Sequence, residues 1–174
     1  MSIQTVGIIG AGTMGNGIAQ ICATNGIRCV MVDISEEAVA RGLATVSASL
    51  DRLVKKEKIS AEDKTAALAL ITGSTRYEDL RDAQLVIEAA TENYELKLKI
   101  LRQIDALVAP DVIIASNTSS ISITKLAAAT QRADRFIGMH FFNPVPLMAL
   151  VEIIRGLQTS EAAHDAVKAL AEAL

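Results

Sequence analysis

Of the two histidines in the chain, His140 has the neighbours that acid–base chemistry requires. It follows the apolar run Phe136-Ile137-Gly138-Met139 and precedes Phe141-Phe142-Asn143-Pro144, where a strand would give way to a loop. A satisfied core histidine is the competing reading. Glu152 decides between them. It interrupts the otherwise apolar run Ala149-Leu150-Val151-Glu152-Ile153-Ile154. A carboxylate buried there without a partner would cost roughly several kcal/mol, so a partner is expected. A return of the chain through Pro144 and Pro146 brings Glu152 beside His140. The acid would then hold one ring nitrogen and leave the other as a general base. An ion pair from Glu152 to Arg155 or Arg135 is the alternative, and the His–Glu dyad is preferred to it. His164 lies in a polar stretch and is expected to be solvated.

A second constellation opens the chain. Gly10-Ala11-Gly12-Thr13-Met14-Gly15 fits G-x-G-x-x-G at the handover from an apolar strand to a helix. Gly10 permits a tight turn, Gly12 lets the backbone approach a pyrophosphate, and Gly15 lets helix pack on strand. Free N–H groups at the helix start would face the anion. Asp33, at the end of the next strand, suits the ribose hydroxyls and would repel a 2′-phosphate, and Ile34, Ser35 and Glu36 after it include no arginine. NAD is therefore expected rather than NADP; a helix cap before Ser35 is the plain alternative for Asp33. Ser116-Asn117-Thr118-Ser119-Ser120 ends another apolar strand. It reads equally as a hydrogen-bonding ledge or as turn and cap chemistry. No glycine-framed nucleophilic serine is present, so a hydrolase is not expected.

These residues need a scaffold, and the hydrophobic pattern supplies one. Apolar strands are expected at 5–10, 28–33, 71–75, 85–88, 112–116, 136–142 and 147–154. Helices are expected at 14–25, 35–56, 61–70, 93–108, 123–128 and 160–174. The alternation predicts an α/β fold: a Rossmann-type, doubly wound, mostly parallel sheet with a helical excursion after the second strand. The last two strands are joined too closely for a parallel crossover and are expected to pair antiparallel. The 174 residues are expected to form one domain. A net charge of −3 offers no basic footprint for nucleic acid. The glycines at 7, 10 and 12 break the first apolar run, so neither a signal peptide nor a membrane span is expected, and a cytoplasmic location follows by default. Cys22 and Cys29 lack metal-ligand spacing and are read as buried reduced thiols, with no metal site expected.

Taken together the segments resemble the 3-hydroxyacyl-CoA dehydrogenase family, which includes bacterial 3-hydroxybutyryl-CoA dehydrogenases. The matching pieces are the glycine loop, Glu88-Ala89-Ala90-Thr91-Glu92-Asn93, Ser116-Asn117-Thr118-Ser119-Ser120, His140-Phe141-Phe142-Asn143-Pro144-Val145-Pro146 and Leu150-Val151-Glu152. The SNTSS and HFFNPVP segments are the specific ones, and the order spans nearly the whole chain. The resemblance implies that His140 is the acid/base, Glu152 its orienting partner, and Ser119 a hydrogen-bond donor to the reacting oxygen. It also implies that Glu92, Lys97, Ser119 and Asn143 line the NAD site with Gly10 to Gly15 and Asp33. Ser49 and Lys56, in the helical excursion, would contact the coenzyme A of an acyl-CoA substrate. Read from residues alone, Ser49 is filler, Lys56 a solvated helix end, and Glu92 or Asn93 a helix cap. The implied reaction interconverts 3-hydroxyacyl-CoA and 3-oxoacyl-CoA, as in fatty-acid or butyrate metabolism. Residues 1–174 would then be the NAD-binding domain, with the family's helical, dimer-forming C-terminal domain and its further active-site asparagine beyond them. Two rivals stand beside this reading. One is an NAD-binding module with little or no activity, including a crystallin-like structural relative. The other is a different two-domain Rossmann dehydrogenase acting on a hydroxy or sugar acid.

Overall fold

The computed structural model describes residues 1–174. Seven strands form one sheet in the order β3-β2-β1-β4-β5-β6-β7. They are β1 (Thr5–Ile9), β2 (Arg28–Val32), β3 (Ile71–Ser74), β4 (Leu85–Glu88), β5 (Ile113–Ser116), β6 (Phe136–Phe141) and β7 (Val151–Arg155). All neighbouring pairs are parallel except β6 and β7. The expected doubly wound sheet with an antiparallel end is the one observed.

The helices are α1 (Thr13–Thr24), α2 (Glu36–Lys55), α3 (Ala61–Ala69), α4 (Tyr94–Leu107), α5 (Ile123–Ala127) and α6 (Glu161–Ala173). Helices α2 and α3 form the expected excursion between β2 and β3. Two apolar clusters clothe the sheet. On one side Val6, Ile8, Met31 and Ile87 pack with Ile18 of α1, Val46 and Leu50 of α2, and Val167 of α6. On the other, Ile9, Val32, Val86 and Ile114 meet Leu101 and Ile104 of α4 and Leu126 of α5. Strands buried on both faces explain why their sequences run apolar without alternation. Cys22 and Cys29 are both buried and free. A hydrogen bond with Cys29, and then burial, pushes the Cys22 thiol well above its usual range.

Helix starts follow the cap chemistry. Ser35, Ser60, Asn93, Ser122 and Ser160 each accept a backbone N–H in the first turn of α2 to α6. Asn93, not Glu92, is thus the cap of α4. Helix α1 differs: its cap position is Gly12, which offers no side-chain cap.

The last strand corrects the expected boundaries. Residues 147–150 are not strand, because a short 3₁₀ turn at Val145–Leu147 follows Pro144 and includes Pro146, and β7 begins only at Val151. Proline fixes φ and lacks the N–H a ladder needs, so the chain turns here before it can pair.

Candidate active site

Every parallel strand ends on the same rim of the sheet, and there the sequence-selected residues gather. Strands β1 and β4 are neighbours, but the helices that follow them, α1 and α4, pack on opposite faces. Their loops diverge and leave a crevice. It holds about 290 Å³ and is lined by Gly12, Thr13, Met14, Ala89 to Glu92, Lys97 and Asn117.

The glycine loop fits a dinucleotide on steric grounds. Gly10 has φ +105°, and a Cβ there would lie 2.7 Å from the Ala89 carbonyl oxygen. A Cβ on Gly15 would overlap the Gly10 carbonyl oxygen. Both glycines are therefore required by the fold itself. Gly12 is not: a Cβ there would meet nothing within 4 Å. The open space beside Gly12 and the uncapped donors of α1 together suit a phosphate anion. Asp33, half-buried at the end of β2, accepts from the N–H groups of Ala11 at 2.8 Å and Ile34 at 2.6 Å. It does not cap α2, which Ser35 does. An apolar slot of about 340 Å³ lies beside it, with Ile9, Val32, Ile34, Tyr77 and Leu96 among its walls. Burial, followed by the charges of Asp33 and Glu88, raises the Tyr77 hydroxyl above its ordinary value. Arg41, which sequence spacing passed over, lines the cleft shared by Gly12 and Asp33 and pairs with Glu37 at 3.2 Å.

The floor of the crevice contains a buried network that sequence reasoning did not find. Lys97 Nζ, 1% exposed, donates to Glu88 Oε1 at 2.5 Å. Ser116 Oγ donates to the same oxygen at 2.8 Å, and Glu88 Oε2 accepts from the Ala90 N–H at 2.9 Å. Glu92 is half-exposed, with Oε1 3.8 Å from Lys97 Nζ, while its Oε2 accepts from Thr118 and Ser120. Glu92 and Lys97 thus both line the crevice. Ser119 is exposed in the loop after β5.

His140 and Glu152 face one another directly across β6 and β7. Nδ1 of His140 lies 3.0 Å from Glu152 Oε1, and the ring packs 4.5 Å from that of Phe142. The competing partners are engaged elsewhere: Arg155 with Glu161, and Arg135 with the Asp111 carbonyl. Glu152 is not buried; its side chain is 53% exposed, against 17% for His140. Strand β7 is an edge strand with little packed over that residue, so desolvation does not enforce the pairing. His164 is half-buried and sits beside Asp165 on α6, at the opposite end of β7 from the dyad.

A second cleft, of about 220 Å³, runs between α1, α2 and the loop after β6. Ser49 and Lys56 line it, together with Asn16, Gln20, Arg52 and Asn143. Asn143 therefore lies in this cleft and not among the residues lining the first; Thr13 lines both. No helix is long and apolar enough to cross a membrane.

The family model "3-hydroxyacyl-CoA dehydrogenase, NAD binding domain" matches residues 5–174. A 3-hydroxybutyryl-CoA dehydrogenase of Bradyrhizobium diazoefficiens is 51% identical over 166 residues, which cover 95% of this chain and 57% of that protein. The crystal structure of an (S)-3-hydroxybutyryl-CoA dehydrogenase from Ralstonia eutropha superposes with a TM-score of 0.98 at 70% identity, covering 99% of this chain and 61% of the other. That of a 3-hydroxybutyryl-CoA dehydrogenase from Escherichia coli gives a TM-score of 0.97 at 39% identity, over 99% of this chain and 37% of the other. The chain thus spans about three fifths or less of the length of these relatives.

Proposed function

The chain belongs to the 3-hydroxyacyl-CoA dehydrogenase family and carries its NAD-binding domain, and from that premise we propose that it serves the interconversion of 3-hydroxyacyl-CoA and 3-oxoacyl-CoA. The observation that carries the proposal is the placement of the His140–Glu152 pair on the same rim as the glycine loop. Gly12, the start of α1 and Asp33 would hold the dinucleotide, with Glu92 and Lys97 at the crevice and Asn143 reaching it from the second cleft. Ser49 and Lys56 would hold the coenzyme A portion of the substrate in the second cleft. Bound NAD supplies the two-electron acceptor for the C3 hydride.

The chain's own residues manage the proton. Glu152 fixes the His140 tautomer with Nδ1 protonated, which leaves Nε2 free to accept. As the substrate's C3–H bond breaks, Nε2 takes the C3 hydroxyl proton and the C–O bond becomes a carbonyl. In the reverse direction the imidazolium returns that proton. Glu152 stabilises the charge that His140 acquires. Ser119 would donate a hydrogen bond to the same oxygen and orient it. In this reading residues 1–174 are one of two domains, and a helical domain beyond them completes the site and the dimer.

Reduction of acetoacetyl-CoA by this chain, followed as loss of NADH, tests the assignment. His140→Gln is expected to lower turnover by about 10²- to 10⁴-fold with little change in NADH affinity. Equal turnover in parent and variant removes His140 from the reaction. The share of the relatives' length that the chain spans favours one second reading, a cofactor-binding domain with little turnover of its own. NADH binding without any acetoacetyl-CoA reduction would select it.

A further inference from the structure

The β5–β6 ladder ends at Ser116 opposite Gly138, yet one more bond joins the two strands beyond it. Asn117 Oδ1 accepts the Phe141 N–H at 2.8 Å. The side chain thus takes the place of a ladder carbonyl where the main chain has already turned away. The Asn117 N–H donates to the Glu88 carbonyl at 2.9 Å, so this residue ties the end of β4 to the end of β6. Phe141 directly follows His140, and its partner across β7 is Val151, which directly precedes Glu152. The bond therefore fixes the main chain beside both members of the dyad.

The orientation of the amide follows from chemistry. A backbone N–H only donates, so the atom facing Phe141 has to be the oxygen. The amide nitrogen is then directed away, and Nδ2 makes no hydrogen bond within the chain. Asn117 lines the crevice with Lys97 and Glu92, and no buried side-chain polar atom in the protein lacks a partner. Nδ2 is accordingly not sealed from solvent, on a residue that lines the crevice.

We propose that Asn117 is a positioning residue with two working ends, Oδ1 tethering the main chain beside His140 and Nδ2 donating to an acceptor oxygen of the cofactor. The ligand end rests on the NAD reading of the crevice; the tether end does not. Occupancy of the crevice and placement of the imidazole then share one side chain.

Two variants separate the ends. Asn117→Asp keeps the acceptor and removes the NH₂ donor; Asn117→Ala removes both. The measurements are NADH affinity by calorimetry, amide exchange at Phe141, and the His140 ring signals in NMR spectra. In the parent, NADH is expected to slow Phe141 exchange beyond its effect on Met139. In Asn117→Asp, Phe141 protection persists while NADH affinity falls about five- to tenfold, and the cofactor no longer slows Phe141 exchange. In Asn117→Ala, Phe141 exchange accelerates on the order of tenfold or more, the His140 signals broaden, and NADH affinity falls similarly. Retained Phe141 protection in Asn117→Ala overturns the tether. Parent-like NADH affinity in Asn117→Ala overturns the ligand end, since a loss in Asn117→Asp alone would come from its added charge. Should the alanine variant not fold, parent-like affinity or persisting cofactor-dependent protection in Asn117→Asp overturns the ligand end, and loss of Phe141 protection there overturns the tether. A parent that binds no NADH refutes the ligand end through the cofactor reading, and the exchange data still decide the tether.

Discussion

Glu88 and Glu152 each end or interrupt an apolar strand, and each holds a basic side chain, but in different media. The Glu88–Lys97 pair is sealed from water, with side chains 0% and 1% exposed, whereas Glu152 is half in solvent. Removing one member of a buried pair leaves an uncompensated charge, and removing a solvated one leaves very little. Glu88→Gln is therefore expected to destabilise the fold by about 3–5 kcal/mol, and Glu152→Gln by less than about 1 kcal/mol. Urea unfolding of the two variants checks this; equal losses would mean that the Lys97 charge finds solvent. The contrast also shows what was legible in the sequence. A carboxylate in an apolar run demands a partner where the run is buried, as Glu88 is in Leu-Val-Ile-Glu, whereas half-exposed Glu152 faces His140 without that demand. Strand burial depends on position in the sheet, and β7 lies at an edge that a local run of residues does not reveal. Lys97 was reachable only through resemblance, because its pattern on α4 is that of an ordinary surface lysine.

Among elements, the helix starts carry a division of labour. Five helices satisfy first-turn donors with Ser or Asn, and α1, whose cap position is Gly12, leaves its own without a side-chain partner. These positions were readable because capping is local chemistry. The misplaced start of β7 was not, because prolines decide it against an apolar pattern that alone favours a strand. Helix α3 permits a direct test of the capping logic. Its box pairs Ser60 and Asp63 reciprocally. Backbone and then side-chain hydrogen bonds from Ser60 hold the Asp63 carboxyl below its ordinary 3.8. A pKa lowered in the native state gives stability that is complete above the unfolded value and is lost as pH falls through the folded one. Ser60→Ala is expected to move the Asp63 titration upward and to make the α3 start less acid-sensitive. Carboxyl NMR shifts against pH report this, and an unmoved titration would assign the depression to the backbone bond alone.

For the molecule as a whole, the doubly wound order was legible from the alternation of strands and helices, because each crossover helix has a length and an apolar stripe of its own. The clefts were not. They arise where α1 and α4 part company and where the loop after β6 meets α2, contacts between segments far apart in the chain. Ligand binding to such a crevice stabilises the whole fold by mass action, about 2.7 kcal/mol at a hundredfold excess over the dissociation constant. NADH is expected to raise the unfolding midpoint, and NADPH at the same concentration to raise it much less, because the Asp33 carboxylate meets a 2′-phosphate with like charge. Equal shifts in a thermal melt would refute that role for Asp33.

The antiparallel hairpin carries a further consequence. Side chains alternate along a strand, so sliding β7 one residue against β6 would present Val151 or Ile153 to the imidazole and turn the acid to the far face. Sliding it two residues would present Leu150 or Ile154. In the sequence Leu-Val-Glu-Ile-Ile only the central residue can ionise, so a single alignment gives the histidine a counterpart. Any other alignment within two residues would set an aliphatic side chain opposite the imidazole.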